Sequence, residues 1–123
     1  MKDLNNDVID FIELTVLMHL MILTMNVTVL MKILEDVDKT LPDLLSLNPD
    51  VIVVTGDHST PAMLKGHSWH TVPTMIYSKY CRPDKVVEFS ESGCLGGGLG
   101  IFPATDIMPL AMANALKLNK FGA

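Results

Sequence analysis

The chain has 123 residues, a hydrophobic content of 49% and a formal net charge of −5 at pH 7. This length predicts one domain or a part of a larger one, and the hydrophobic content excludes an intrinsically disordered chain. The nine lysines and arginines are scattered rather than clustered, which excludes the basic footprint of a nucleic-acid-binding protein.

The cysteines and the N-terminal residues favour a cytoplasmic location. Cys81 and Cys94 form neither a CxxC pair nor a zinc-finger spacing, as expected of a protein with reduced thiols. The N-terminal sequence MKDLNNDVIDF is acidic where an export signal is basic. No pattern predicts an oligomeric state.

The first elements include one ambiguous segment. Residues 8–13 predict a short strand, and residues 14–31 then carry no formal charge over a length that reaches the lower limit for a membrane-spanning helix. Threonine and asparagine interrupt this segment, and no lysine or arginine cluster flanks it, and both features argue against a membrane association. A buried strand pair, a core helix and a membrane span all remain open.

A helix is predicted over residues 32–47 because apolar residues recur there at helical spacing. The apolar positions are Ile33, Leu34, Val37, Leu41, Leu44 and Leu45. Pro42 removes an amide donor inside this pattern, so we expect it to kink the helix or to break it in two. The sequence Asn48-Pro49-Asp50 then predicts a turn.

The following elements alternate between strands and helices. Strands are predicted over residues 51–55 and 73–78, and a short helix over residues 87–95. Thr105 is expected to cap a final helix that runs to about Lys117. This alternation predicts an α/β fold with a mainly parallel sheet and flanking helices.

Candidate metal ligands follow the strand over residues 51–55. Ligands of parallel sheets bind at the carboxyl ends of the strands, where this sequence places Asp57 and His58, with His67 further along. A carboxylate together with imidazoles suits Mn²⁺, Zn²⁺ or a related divalent ion. In the alternative interpretation Asp57 caps a short helix and the histidines are ordinary surface residues. The location and the concentration of histidines favour the metal site.

The hydroxyl residues beside these ligands do not predict nucleophilic catalysis. Ser59 and Thr60 have no evident base and carboxylate partner in the sequence. We interpret both as loop and capping residues.

Three segments resemble one known family. TGDHSTPAMLKGHSWHTVP resembles the metal-binding segment of cofactor-independent phosphoglycerate mutases, in particular the archaeal-type branch of the alkaline phosphatase superfamily. KILEDVDKTLPDLLSLNPD resembles the preceding helix of that family, and GGLGIFPATDIMPLAMANALKLNKFGA resembles its C-terminal end. The resemblance implies an alkaline-phosphatase-like core. It divides the chain into an aberrant apolar segment, residues 1–31, and a C-terminal metal-binding part, residues 32–123.

The resemblance also implies a reaction and a set of ligands. The family interconverts 3-phosphoglycerate and 2-phosphoglycerate in glycolysis with two divalent ions, Mn²⁺ or Mg²⁺ with Zn²⁺ as an alternative, and no organic cofactor. The ions activate a serine that takes the phosphoryl group and returns it. Asp57 and His58 resemble the pair that is divided between the ions, and His67 resembles the later histidine ligand. Thr71 replaces a usual proline, and His70 is left for a supporting or substrate contact.

The chain lacks counterparts of other functional residues of the family. The family's enzymes are several times longer, and their N-terminal portion supplies an early aspartate ligand and the nucleophilic serine. We therefore predict a chain with no catalytic residue of its own that is inactive alone. The alternatives are a non-catalytic relic, a small membrane-associated protein, or another phosphatase of the same superfamily.

Residues 14–31 occupy the place where the family has an aspartate and a histidine in a polar stretch. Read in one shifted frame, the codons of Met21-Ile22 force an aspartate and those of Met25-Asn26 force a glutamate. Any stretch rich in methionine and threonine gives polar residues under this shift. We hypothesise that the gene carries frameshifts around this segment.

The frameshift hypothesis predicts the nucleotide sequence around the first codons. We expect family sequence upstream of this segment in another reading frame, because the shifted frame turns the apolar run into a polar one. Sequencing the genomic region through the segment and upstream of it tests this. A clean single frame with intact family sequence upstream would contradict the hypothesis.

Overall fold

The computed structural model describes residues 27–61 and 63–119. Helix α1, Val27–Ser46, begins earlier than the sequence predicts and ends close to the expected residue. Its half-buried stripe contains Ile33, Val37, Leu41 and Leu44 at helical spacing, as predicted. Leu34 and Leu45, which were also expected on the apolar face, are 57% and 45% exposed.

Pro42 was expected to kink the helix or to break it in two, and the break is wrong because α1 continues through this residue. The kink stays a prediction. A proline inside a helix removes one amide donor, and the remaining bonds of the neighbouring turns still hold the backbone. One turn earlier, Asp36 Oδ1 accepts a hydrogen bond from Lys39 Nζ at 2.9 Å, and Lys32 Nζ lies 3.6 Å away. The hydrogen bond from Lys39 lowers the pKa of Asp36. Because all these groups are exposed, the ion pairs contribute little stability.

The two predicted strands form, and they pair with each other. Strand β1, Val51–Thr55, and strand β2, Thr74–Ser78, are antiparallel, with register from Val51↔Ser78 to Thr55↔Thr74. At the last pair the hydroxyls of Thr55 and Thr74 lie 2.9 Å apart, in hydrogen-bond contact. The segment between the strands therefore begins and ends at the same end of the strand pair.

Helices and a small sheet confirm the α/β class, but the expected parallel arrangement is not found in the part of the chain that the structure describes. Its two-stranded sheet is antiparallel. A parallel pair needs a crossover connection, usually a helix, that returns the chain to the end of the sheet where the first strand began. Here the connection folds back on itself through an antiparallel bridge between Ser59 and Ser68, so the chain re-enters the sheet in the opposite direction.

The C-terminal elements are shorter than predicted. Helix α2 is a single turn, Glu91–Cys94, whose cap Ser90 accepts a hydrogen bond from the amide of Gly93. A 3₁₀ turn, Ala104–Asp106, leads into helix α3, Ile107–Asn114, and the residue at its N-cap position is Asp106 rather than the expected Thr105. The helix ends before Lys117 because Leu116 adopts a positive φ of 58°, which an α-helix does not accommodate.

Ser78, at the end of β2, ties the sheet to α3. Its hydroxyl accepts hydrogen bonds from the amides of Tyr80 and Cys81 and donates to Asn114 Oδ1 at 3.4 Å. Ser78 is 6% exposed, so these bonds satisfy a buried hydroxyl. Cys81 and Cys94 are free thiols, as expected.

Packing in residues 27–61 and 63–119 is shallow. Among the side chains that the structure describes no apolar one is fully buried, and the two buried polar residues are Ser59 and Ser78. No helix in this part of the chain is long and apolar enough to cross a membrane. The predicted strand over residues 8–13 and residues 14–26 of the apolar segment lie outside the described residues.

Asp84 holds the glycine-rich turn that follows α2. Its Oδ2 accepts a hydrogen bond from the amide of Gly98 at 2.7 Å, and its Oδ1 accepts one from the amide of Val86 at 2.8 Å. The bond from Gly98, and next the bond from Val86, lower the pKa of Asp84 because both stabilise the carboxylate. The carboxylate thus joins two loop segments across fourteen residues of sequence.

We expect Asp84→Asn to release this turn. An amide side chain has one acceptor oxygen and cannot accept both backbone bonds in the same orientation. Hydrogen exchange of the Gly98 amide, measured by NMR, should become several-fold faster at neutral pH.

The pH dependence follows from the direction of the pKa. A lowered pKa in the folded state means that the stabilisation is complete above the ordinary value of 3.8 and is lost as the pH falls through the lower folded value. The difference between wild type and variant should shrink in that acidic window. Asp106→Asn is the matched control, because Asp106 also precedes a helix but makes no capping side-chain bond. Equal effects of both substitutions would contradict the assignment.

Candidate metal centre

A single backbone bridge shapes the segment between β1 and β2. The amide of Ser68 donates to the carbonyl of Ser59 at 3.0 Å, and the two residues form an isolated antiparallel bridge. In such a bridge the residue after one partner faces the residue before the other, which places Thr60 opposite His67. Ser59 is 7% exposed, so the bridge is anchored in a covered part of the loop.

The bridge brings two of the predicted ligands into contact. The ring centroids of His58 and His67 lie 3.9 Å apart, with an angle of 54° between the rings. The side chain of His58 is 31% exposed, so its ring is partly covered while the loop stays open to solvent. Residues nine positions apart in the sequence therefore present imidazoles at one place.

Asp57 lies on the other side of His58. Its Oδ1 accepts a hydrogen bond from the backbone amide of His58 at 2.8 Å, and its Oδ2 lies 3.3 Å from Nε2 of the same residue. The carboxylate is 82% exposed, which leaves its oxygens accessible for a cation. The structure thus places all three predicted ligands in one loop, with His58 in contact with both others.

Thr60 contacts both imidazoles, which the sequence interpretation missed. Its Oγ1 lies 3.3 Å from Nδ1 of His58 and 3.2 Å from Nδ1 of His67. From the sequence, Thr60 was interpreted as a loop and capping residue. The signal that could have identified it is a hydroxyl between two histidines in a loop that must turn back.

His70 forms a separate pair of contacts. Its Nδ1 lies 2.8 Å from the hydroxyl of Ser68, and its ring stacks on Trp69 with centroids 5.2 Å apart. Trp69 is 86% exposed. The contacts described for His70 are thus to a hydroxyl and an indole, and not to Asp57, His58 or His67.

The donor set fits part of a divalent metal site. One carboxylate and two imidazoles suit Mn²⁺ or Zn²⁺ better than Mg²⁺, which prefers oxygen ligands. Among the described residues no three histidine, cysteine, aspartate or glutamate side chains are grouped so that they could hold one ion.

Comparison with known proteins shows the family to which the chain belongs. Residues 24–114 match the Metalloenzyme superfamily. The chain is 55% identical over 92 residues to a protein of Thermotoga maritima named as a probable 2,3-bisphosphoglycerate-independent phosphoglycerate mutase. It is 54% identical over 91 residues to a protein of the same name from Aquifex aeolicus. The resemblance drawn from the sequence is confirmed by these matches.

The matches cover most of this chain and a minor part of the relatives. The Thermotoga maritima match includes 75% of this chain and 23% of the relative, so the chain spans about a quarter of the length of the curated relatives. A solved structure, the PH0037 protein from Pyrococcus horikoshii, is similar with a TM-score of 0.67 and 35% identity. That similarity covers 75% of this chain and 25% of the other.

The loop geometry predicts which side chains contribute to Mn²⁺ binding. We expect Asp57→Asn, His58→Ala and His67→Ala each to weaken binding by at least about tenfold, since loss of a ligand exceeds the effect of an outer contact. Isothermal titration calorimetry of each variant with Mn²⁺ measures this.

His70→Ala is the matched control for the ligand variants. His70 lies in the same loop but contacts Ser68 and Trp69, so its loss should leave Mn²⁺ affinity unchanged. If His70→Ala weakens binding as much as His67→Ala, the choice of ligands is wrong.

Proposed function

The chain belongs to the Metalloenzyme superfamily, and from this membership we propose that it is the metal-binding part of a cofactor-independent phosphoglycerate mutase. The reaction is the interconversion of 3-phosphoglycerate and 2-phosphoglycerate in glycolysis, in the cytoplasm and without an organic cofactor. The observation that carries the proposal is the contact of His58 with both Asp57 and His67 in one loop. The names of the relatives, which are probable mutases, support the substrate class.

The ligands have separate chemical roles in this proposal. Asp57 supplies a negative charge that attracts divalent ions, and the two histidines supply neutral nitrogen ligands, so we expect Mn²⁺ rather than Mg²⁺. When bound, such ions neutralise charge on a transferring phosphoryl group and lower the pKa of an attacking hydroxyl.

No catalytic nucleophile is proposed within this chain. Ser59 is 7% exposed, so its side chain is not accessible to a phosphoryl group. We propose that the nucleophile and the remaining ligands belong to the portion of the relatives that this chain does not match. The chain is then inactive alone and acts on phosphoglycerate only together with that portion.

A chimera tests this proposal. Residues 24–114 of this chain replace the matched stretch of the Thermotoga maritima relative, and conversion of 3-phosphoglycerate to 2-phosphoglycerate is measured in the presence of Mn²⁺. We expect the chimera to be active because it supplies the ligand loop in its family context. The chain alone should show no conversion.

The chimera with His58→Ala is the control, and its activity should fall by at least about tenfold through loss of a ligand. Release of inorganic phosphate from phosphoglycerate is measured in parallel. A folded but inactive chimera would contradict the proposal. Phosphate release without isomerisation would instead indicate a phosphatase of the same superfamily.

A further inference from the structure

An open cleft lies beside the start of β1 and the end of β2, at the opposite end of the strand pair from the candidate metal centre. Its volume is about 220 Å³, and its polar lining includes Asn48, Asp50, Lys79, Tyr80 and Asn114. We propose that this cleft binds a small zwitterion of the α-amino acid class, with the ammonium group at Asp50 and the carboxylate at Lys79. The site is separate from the proposed function, because none of the candidate metal ligands lines it.

The strand register places these two charges opposite each other. Asp50 directly precedes β1, Lys79 directly follows β2, and the last pair of the ladder is Val51↔Ser78. One further step of the same register sets Asp50 against Lys79. Opposite charges at such cross-strand positions commonly pair with each other.

These two charges do not pair in this structure. Within the part of the chain that the structure describes, no ion pair or side-chain hydrogen bond joins Asp50 or Lys79 to another residue. Lys79 Nζ instead lies 5.7 Å from the centroid of the Tyr80 ring. Both charged side chains line the cleft, so a ligand that enters it meets one carboxylate and one ammonium group.

Two helices end beside the cleft and favour a positive charge there. Helix α1 ends at Ser46, two residues before Asn48, and α3 ends at Asn114. The C-terminal end of a helix carries a partial negative charge, which stabilises a cation nearby. Together with the carboxylate of Asp50, these ends attract the ammonium group of a ligand. Lys79 is the cation of the lining that attracts its carboxylate.

The two asparagines of the lining differ in what they offer a ligand. The side chain of Asn114 is committed, because its Nδ2 donates to the carbonyl of Leu110 at 2.9 Å and its Oδ1 accepts from Ser78. The side chain of Asn48 makes no hydrogen bond with the other described residues. Its amide can therefore donate to a carboxylate or accept from an ammonium group.

Size and charge restrict the class of ligand. A volume of about 220 Å³ corresponds to about seven water molecules, which suits a small amino acid and is too small for a nucleotide. A phosphoglycerate carries two anionic groups, whereas the lining has one cation beside a carboxylate. The cleft therefore selects a ligand with one charge of each sign.

Glycine is the probe that tests this, in amide NMR spectra of the full chain without metal at about pH 7, where both of its groups are charged. We expect glycine to shift the amide signals of Asp50, Lys79 and Asn114, with a dissociation constant in the millimolar range because both charges are exposed. Acetate and methylammonium each carry one of the two charges. Each should bind at least about fivefold more weakly than glycine, the effect of losing one exposed ion pair.

Charge exchange tests the two side chains directly. Asp50→Lys and Lys79→Asp each leave two like charges at the cleft, so each should weaken glycine binding by at least about fivefold. The double variant carries one charge of each sign again and should regain most of the affinity, with glycine reversed. Asp38→Lys and Lys85→Asp are the matched controls, because both residues are exposed and lie outside the lining.

Several results would overturn the proposal. The first is a wild-type chain whose cleft signals do not shift with glycine up to its solubility limit. The second is equal affinity for glycine, acetate and methylammonium, and this comparison needs no variant to fold. Folded Asp50→Lys and Lys79→Asp variants that bind glycine as wild type does, or controls that weaken binding as much, also overturn it.

Discussion

The candidate site depends on one backbone bridge, the pairing of Ser59 with Ser68. Without it, the segment between the strands would be a long connection whose side chains have no fixed neighbours. With it, Thr60 faces His67, and the ring of His58 reaches the ring of His67. Because a backbone bridge does not depend on side-chain identity, the flanking positions are free to carry ligands. The backbone atoms of Ser59 and Ser68 thus shape the loop, and the candidate ligand side chains belong to the residues beside them.

The side chains around this loop pack loosely, and the candidate ligand Asp57 within it is exposed. Among the side chains that the structure describes no apolar one is fully buried, and the buried hydroxyl of Ser78 joins the end of β2 to α3. A hydroxyl that makes several hydrogen bonds fixes direction but contributes less stability than a buried apolar cluster. The chain also spans only about a quarter of its curated relatives.

The sequence predicted the strands and the ligand loop because their signals are local. An apolar run followed by Asp57 and His58 indicates a strand end with polar side chains, and the structure has that arrangement. The direction of pairing could not be predicted, because a continuous apolar run indicates a strand covered on both faces and does not identify the direction of its neighbour. The fold-back that decides the direction arises from the Ser59 and Ser68 bridge, which no periodicity reveals. The contacts of Thr60 were missed for the same reason, since they exist only once the loop has turned.

The nested order of the pairings has a consequence for how the hairpin assembles. Ser59 pairs with Ser68, Thr55 with Thr74, and Val51 with Ser78, so each pair encloses the one before it. Closing the innermost pair first shortens the effective chain that the next pair must close, which keeps the entropic cost of each step small. Zippering from the tip outward is therefore the least costly route. On that route the histidines meet before the strands are complete, and the loop between the strands nucleates the sheet.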